Sequence, residues 1–226
     1  MGCILKGGGG LYSRLVVGAV LLAAGSASRM GHRPKCLLQL GGVPLIRRQL
    51  IALSGAGVDE VVVVLGHHKA LIEPMVQDFP VTLAINPSPD DGQNSSLRLG
   101  LHRLNGKLDA VIVALADQPL LNQQDMVDLI SAFKKRPHGA RVVVPMVEGL
   151  PGNPVIFEES LCLEILSGDA QFGCKQWQKM HPDQVFHWET PNRRYRQDVD
   201  TPEDIESLAA ATGHRLVWPE PIDQPV

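Results

Sequence analysis

The sequence lacks any close pair of cysteines. Cys3, Cys36, Cys162 and Cys174 are scattered, and no Cys-x-x-Cys occurs. That excludes zinc-finger spacing and argues against a disulfide framework at 226 residues. Reduced thiols in a cytoplasm fit this usage best, and Cys36 reads as a small buried hydrophobe. An excess of positive charge is also missing. Lys and Arg number 21 against 24 Asp and Glu, a formal net charge of -3. Proteins that grip a nucleic-acid backbone are usually basic, so that role is disfavoured. A single nucleotide needs only a local positive pocket. The apolar run Leu15–Ala24 is half the roughly 20 residues a membrane helix needs. No internal repeat marks a solenoid. Hydrophobic residues make up 44% and charged residues 20% of the chain, as in globular domains generally. A chain of this length buries roughly 70% of its unfolded surface, so its core needs no staple.

The run Leu15–Ala24 admits two readings. Lys6 and Arg14 precede it and Gly25-Ser26-Ala27-Ser28 follows, in the manner of a signal peptide. A parallel strand covered on both faces demands the same continuous apolar run. The ordered Gly, Arg and Lys spacing that follows favours the strand, expected over Leu15–Ala23. Met1–Arg14, with Gly7–Gly10, then reads as a flexible leader, 15–215 as one domain and 216–226 as a proline-bearing tail. Further strands are expected at Glu60–Leu65, Val81–Ile85, Ala110–Ala116 and Ala140–Pro145, and edge strands at Val155–Phe157 and Val185–Trp188. Helices are expected at Leu45–Ser54, His68–Gln77, Ser95–Leu104, Asn122–Lys135, Ser160–Leu166 and Thr201–Ala211, the last capped by Thr201 ahead of Pro202. This alternation predicts an α/β fold, a Rossmann-like three-layer sandwich with a mostly parallel sheet.

In such sheets ligands bind beyond the carboxyl ends of the strands. The first strand leads into Leu22-Ala23-Ala24-Gly25-Ser26-Ala27-Ser28-Arg29-Met30-Gly31, then Pro34-Lys35. Glycines and free amides can form an anion-binding concavity, and Arg29 and Lys35 add fixed positive charge. This suits a polyphosphate, although the segment has neither the P-loop Gly-Lys-Ser/Thr nor a GxGxxG fingerprint. After the third strand, the polar loop 86–98 with Asn94, Ser95 and Ser96 could read a base or ribose, or simply cap a helix. After the fourth comes Asp117-Gln118-Pro119, a carboxylate placed over the ligand crevice. Magnesium is usually held by one or two carboxylates plus substrate phosphates. Asp200, in Asp198-Val199-Asp200-Thr201-Pro202-Glu203-Asp204, is the candidate second ligand, with an acidic helix start as the alternative. His67 and His68 read as an exposed loop rather than a metal pair, His32 as a surface residue, and Trp177 as core rather than a base-stacking platform.

Together these segments resemble the molybdenum-cofactor cytidylyltransferase group of the MobA-like NTP-transferase superfamily. The carrying residues are Leu22-Ala23-Ala24-Gly25-x-x-Ser28-Arg29-Met30-Gly31-x-x-x-Lys35, Gly41-Gly42-x-Pro44-Leu45 and Gly92-Gln93-x-Ser95-x-x-Arg98. Asp117-Gln118-Pro119, Gly152-x-Pro154-Val155 and the Asp198–Asp204 run complete the set. The resemblance implies magnesium-dependent transfer of a nucleoside monophosphate with release of pyrophosphate. It implies Lys35 and Arg29 as catalytic residues and Asp117 and Asp200 as metal ligands. Leu22, Ala23, Ala24, Gly25, Ser26, Ser28, Gly31, Asn94, Ser95, Ser96, Asp117, Gln118 and Pro119 are the implied nucleotide-binding residues. Ala24, where guanylyl members tend to carry glycine, points to CTP, and the implied acceptor is molybdopterin, with a molybdenum hydroxylase as recipient of the product. No nucleic acid or membrane partner is expected. Two segments depart from the family pattern. Asn153 stands where cytidylyl members often have His, and Gly168–Lys175 is longer than their Gly-Asp-x-Gly-Ala-Arg and lacks its Arg, a charge that Lys175 could replace. The alternatives are use of GTP or another NTP, a different phosphorylated acceptor such as a sugar phosphate, and a non-catalytic cofactor carrier serving an apo-oxidoreductase.

Overall fold

The computed structural model describes residues 14–219. The expected leader, apart from Arg14, lies outside the described residues, as do Cys3 and residues 220–226. The elements in chain order are β1 (Val17–Ala23), β2 (Gln39–Leu40), β3 (Val43–Pro44), α1 (Leu45–Gly55), β4 (Glu60–Leu65), α2 (Lys69–Ile72), β5 (Thr82–Ile85), α3 (Gln93–Arg103) and β6 (Ala110–Leu115). They continue with α4 (Gln123–Lys134), β7 (Val142–Val147), β8 (Leu150–Pro151), β9 (Val155–Glu158), α5 (Leu161–Ser167), α6 (Cys174–Met180), β10 (Val185–Glu189), α7 (Pro202–Thr212) and β11 (Leu216–Val217).

The main sheet runs β10-β7-β9-β6-β1-β4-β5, with β8 paired to β7. β1 lies parallel to both β4 and β6, with Leu21 opposite Val63 on one side and Ala114 on the other. The apolar run at the start of the described chain is therefore an interior strand of the sheet, buried over Val17–Leu22. Side chains alternate across the sheet and divide the core in two. Val17, Ala19 and Leu21 join Val63, Ile112 and Val143 under α1 and α4, which contribute Ile46, Leu50, Leu53, Met126, Leu129 and Phe133. Val20 and Leu22 join Val62, Val64, Val111 and Val113 on the opposite face, under Leu97 and Leu101 of α3, Ile165 of α5 and Trp177 of α6. Trp177 is core, as expected. At Gly100 any Cβ would collide with the Val20 side chain, so glycine lets α3 lie close against β1.

β9 is not an edge strand. It is antiparallel to β6 and β7 and lies between them. Ile156 and Phe157 are both fully buried, one on each face. A short strand apolar on both faces belongs inside the sheet. A second, antiparallel sheet, β11-β2-β3, also departs from expectation. It takes in Leu216–Val217, expected in the tail, because Leu216 is buried in a third small cluster with Met30, Leu38, Leu40, Leu45, Val199 and Leu208.

Candidate active site

From β1 the chain builds outward through β4 and β5, then returns to place β6 on the other side of β1. The carboxyl ends of β1 and β6 are thus a topological switch point, where doubly wound sheets open a ligand crevice. A cleft of about 430 Å³ lies there. It is lined by Leu22–Arg29, Lys35 and Asp117, with Asp200 arriving from the C-terminal segment, His67 and Asp90 from the loops after β4 and β5, and Ser96 from the first turn of α3.

The small cluster explains how the cleft's chemistry is placed. Met30 anchors the loop after β1, and Val199 anchors the segment carrying Asp200, in one apolar nest. A short helical turn at Ser28–Met30 is entered through Ala27 and left through Gly31, both left-handed, and presents Arg29 to the cleft. Lys35 opens a second such turn whose next residue, Cys36, is buried in the main core. Burial pushes the Cys36 thiol up to about 12, so it is the inert hydrophobe expected. Asp200 is set by α7. Thr201 and Asp204 form a capping box, and Asp204 Oδ2 also accepts from the backbone N–H of Asp200 at 2.8 Å. The acidic run is therefore both a helix cap and a carboxylate mount.

Asp117 and Asp200, 83 residues apart in sequence, converge on Lys35. Its Nζ lies 2.7 Å from Asp117 Oδ2 and 2.6 Å from Asp200 Oδ1. Arg29 donates to the other oxygen of Asp200 at 2.9 Å. Burial alone would lower the Lys35 ammonium, but the charge of Asp117 and the hydrogen bonds to both aspartates outweigh it and hold it above its ordinary value. Burial likewise works against the Asp200 carboxylate, yet Lys35 and Arg29 hold it below the usual range. Asp198 goes the other way: desolvation and the like charges of Asp117 and Asp200 raise its carboxyl.

One carboxylate oxygen at this junction stands without a partner. Asp117 Oδ1 is buried and finds no hydrogen-bond donor among the described residues. An ionised, unpartnered oxygen is expensive to bury unless something cationic meets it. The described residues hold no cluster of three or more His, Cys, Asp or Glu side chains that could chelate a metal alone. Two hard carboxylates beside an open cleft instead fit a cation that completes its shell with oxygens of a bound molecule. Asp117 and Asp200 are the residues that could hold it.

The other expected residues divide. Leu22, Ala23, Ala24, Gly25, Ser26, Ser28 and Ser96 line the cleft. Gly31, Asn94, Ser95, Gln118 and Pro119 do not. Gly31 closes the turn behind Arg29. Asn94 Nδ2 donates to Gln171 O at 2.5 Å, tying α3 to the long segment before α6, and Ser95 Oγ donates to Gly92 O at 2.8 Å. Gln118 and Pro119 are buried, and Pro119 O accepts from Arg48. Exposed Lys175 stands in the first turn of α6. Sequence reasoning missed His67. It lines the cleft and its Nε2 meets Asp90 Oδ1 at 3.0 Å, while His68 Nε2 meets Ser26 O at 3.2 Å. Position supplied the missed signal: His67 follows β4, the strand beside β1. At Gly66 a Cβ would come within 2.6 Å of Ala24 O, so this loop packs directly on the one after β1.

Comparison with known proteins bears on this cleft. The MobA-like NTP transferase domain family matches residues 19–185. The bifunctional protein GlmU of Corynebacterium diphtheriae is 28% identical over 131 residues, 55% of this chain and 27% of that protein. The chain spans about a quarter of the length of the GlmU relatives it matches. Nicotine blue oxidoreductase of Paenarthrobacter nicotinovorans is 28% identical over 202 residues, 85% of this chain and 96% of that one. Among solved structures, a nucleotidyl transferase from Methanothermobacter thermautotroptrophicus has the same fold, with a TM-score of 0.70 and 24% identity over 87% of this chain and 97% of that one.

Proposed function

The chain belongs to the MobA-like NTP transferase family, and we propose that it transfers CMP from CTP to the phosphate of molybdopterin and releases pyrophosphate. The observation that carries this reading is the meeting of Asp117 and Asp200 at Lys35 Nζ, in the cleft beneath the loop after β1. Strand order supports one polarity for the nucleotide on this reading. Asp117 follows β6 on one flank of β1, and His67 follows β4 on the other. Triphosphate lies toward Lys35, Arg29 and the aspartates, and nucleoside toward Ala24, His67 and Ser96. Ala24 lies against Gly66 at that end, and its methyl, where guanylyl members tend to carry glycine, supports CTP.

The acceptor's phosphate oxygen attacks the α-phosphorus in line with the departing pyrophosphate. Such transfer is mostly positioning and charge stabilisation. A phosphate acceptor is already ionised near neutral pH, so no side chain has to remove its proton. Lys35 turns from the carboxylates to the α-phosphate and the leaving group. Arg29 and the amides of the loop hold the β- and γ-phosphates. A magnesium ion bound by Asp117 and Asp200 would neutralise charge on the phosphate oxygens in flight.

The test is thermal stability with CTP, GTP, ATP and UTP, each with and without magnesium. A ligand at 100 times its Kd adds about 2.7 kcal/mol. A magnesium-dependent shift confined to CTP is the expected result. A GTP preference would move the assignment to guanylyl transfer, and no shift with any nucleotide would favour the carrier.

A further inference from the structure

Gln118 follows Asp117 directly, yet its side chain points away from the cleft and is 1% exposed. Its Nε2 donates to Asn153 O and to Tyr195 O, each at 3.2 Å. Both partners are carbonyl oxygens, so only the NH₂ of the amide can face them. Asn153 N donates to the same Tyr195 O at 2.7 Å. Behind Gln118, its own carbonyl accepts from Gln49 Nε2 of α1 at 2.5 Å. Tyr195 is fully buried, and its hydroxyl donates to Asp125 O of α4 at 2.6 Å. Four residues beyond Tyr195, Val199 N donates to Asp117 O at 3.1 Å.

These bonds stitch three segments that are remote in sequence: 117–118, 153 and 195–199. We infer that Gln118 is a positioning residue that fixes Asp117 relative to Asp200. The inference rests on the proposed role of those aspartates as metal ligands. Lys35 bridges the two carboxylates only until it engages phosphate. Their spacing then depends on the backbone, which Gln118 and the Val199–Asp117 bond hold from behind. Gly152 permits the close packing this requires, since a Cβ there would come within 2.6 Å of Tyr195 O.

Gln118→Met keeps the volume and removes the donor. Two readouts separate positioning from simple stability: Mn²⁺ affinity in the presence of CTP, followed by electron paramagnetic resonance, and hydrogen exchange at the Val199 amide. Loss of a residue that orients metal ligands costs 10–100-fold in metal affinity. We expect a drop of that size, faster exchange at Val199, and metal-free CTP affinity within twofold of wild type. Turnover should recover at high metal concentration. Wild-type Mn²⁺ affinity with unchanged Val199 protection in a folded Gln118→Met protein would overturn the inference. If that variant does not fold, Gln118→Asn, one methylene short, replaces it under the same criteria. A wild-type protein that binds no Mn²⁺ with CTP would overturn the nucleotidyl-transfer reading, and this inference as stated with it. The tie alone would still be judged by Val199 exchange, and rapid exchange in wild type would refute it.

Discussion

Replacing Lys35 with methionine should move two quantities in opposite directions. The side chain keeps its length and loses its charge. Lys35 is 18% exposed, and its partners Asp117 and Asp200 are 21% and 33% exposed, so solvent only partly screens the group. Removing one preorganised charge-stabilising donor from an active site costs about 10²–10³ in kcat, or ~2.7–4 kcal/mol. The same change leaves two carboxylates facing each other without their shared cation. Each loses a charge-assisted hydrogen bond, which destabilises the empty protein by about 1–3 kcal/mol. A divalent cation no longer competes with the ammonium, so nucleotide-free Mn²⁺ binding should tighten by about tenfold, or ~1.4 kcal/mol. The assay pairs pyrophosphate release with Mn²⁺ titration by calorimetry, and thermal denaturation tests whether Mn²⁺ restores the lost stability. Turnover within threefold of wild type, or Mn²⁺ affinity that falls with the lysine, would refute this account of the site.

Asp200→Asn should abolish magnesium-dependent nucleotide binding and lower kcat by at least ~10²; calorimetry with and without magnesium checks it. Leu216→Ala opens a cavity in the small cluster that seats Met30 and Val199. It should cost about 2–5 kcal/mol by denaturant titration and weaken CTP binding as well. Gly66→Val would drive a side chain into the Ala24 backbone oxygen; nucleotide affinity should drop at least tenfold, and the melting temperature should fall as well because backbone has to move. Acid should unfold the protein through Asp200 and Asp204, whose carboxyls the fold holds below their ordinary value. Their stabilisation is present above about pH 4 and is lost as pH falls through the depressed values, whereas Lys35, held above its ordinary value, loses its share only as pH rises past that raised value. Melting temperatures from pH 3 to 9 should therefore fall steeply only at the acid end.

The sequence made the sheet legible because each buried strand is a continuous apolar run followed by polar residues, as at Leu21-Leu22-Ala23 before Gly25. The loop bearing Arg29 and Lys35 and the carboxylate Asp117 were legible by the same rule. Val155, Ile156 and Phe157 are apolar on both faces, the local mark of an interior strand, but in a four-residue element that mark is too short to fix its place or its antiparallel direction. Strands of two residues, such as Gln39–Leu40 and Leu216–Val217, are too short to show a period. Adjacency misled at Gln118, whose neighbour faces the cleft while its own amide faces the core. The meeting of Asp117 with Asp200 is a product of the fold, and only motif order across the whole chain hinted at it. His67 needed strand order as well: it matters because β4 lies beside β1.

Phosphorus NMR of the protein with CTP, magnesium and molybdopterin tests the central claim most directly. Pyrophosphate appearing in step with a new diphosphate linkage on the acceptor is the predicted result. Orthophosphate in its place, or CTP left intact with the acceptor bound, would contradict it.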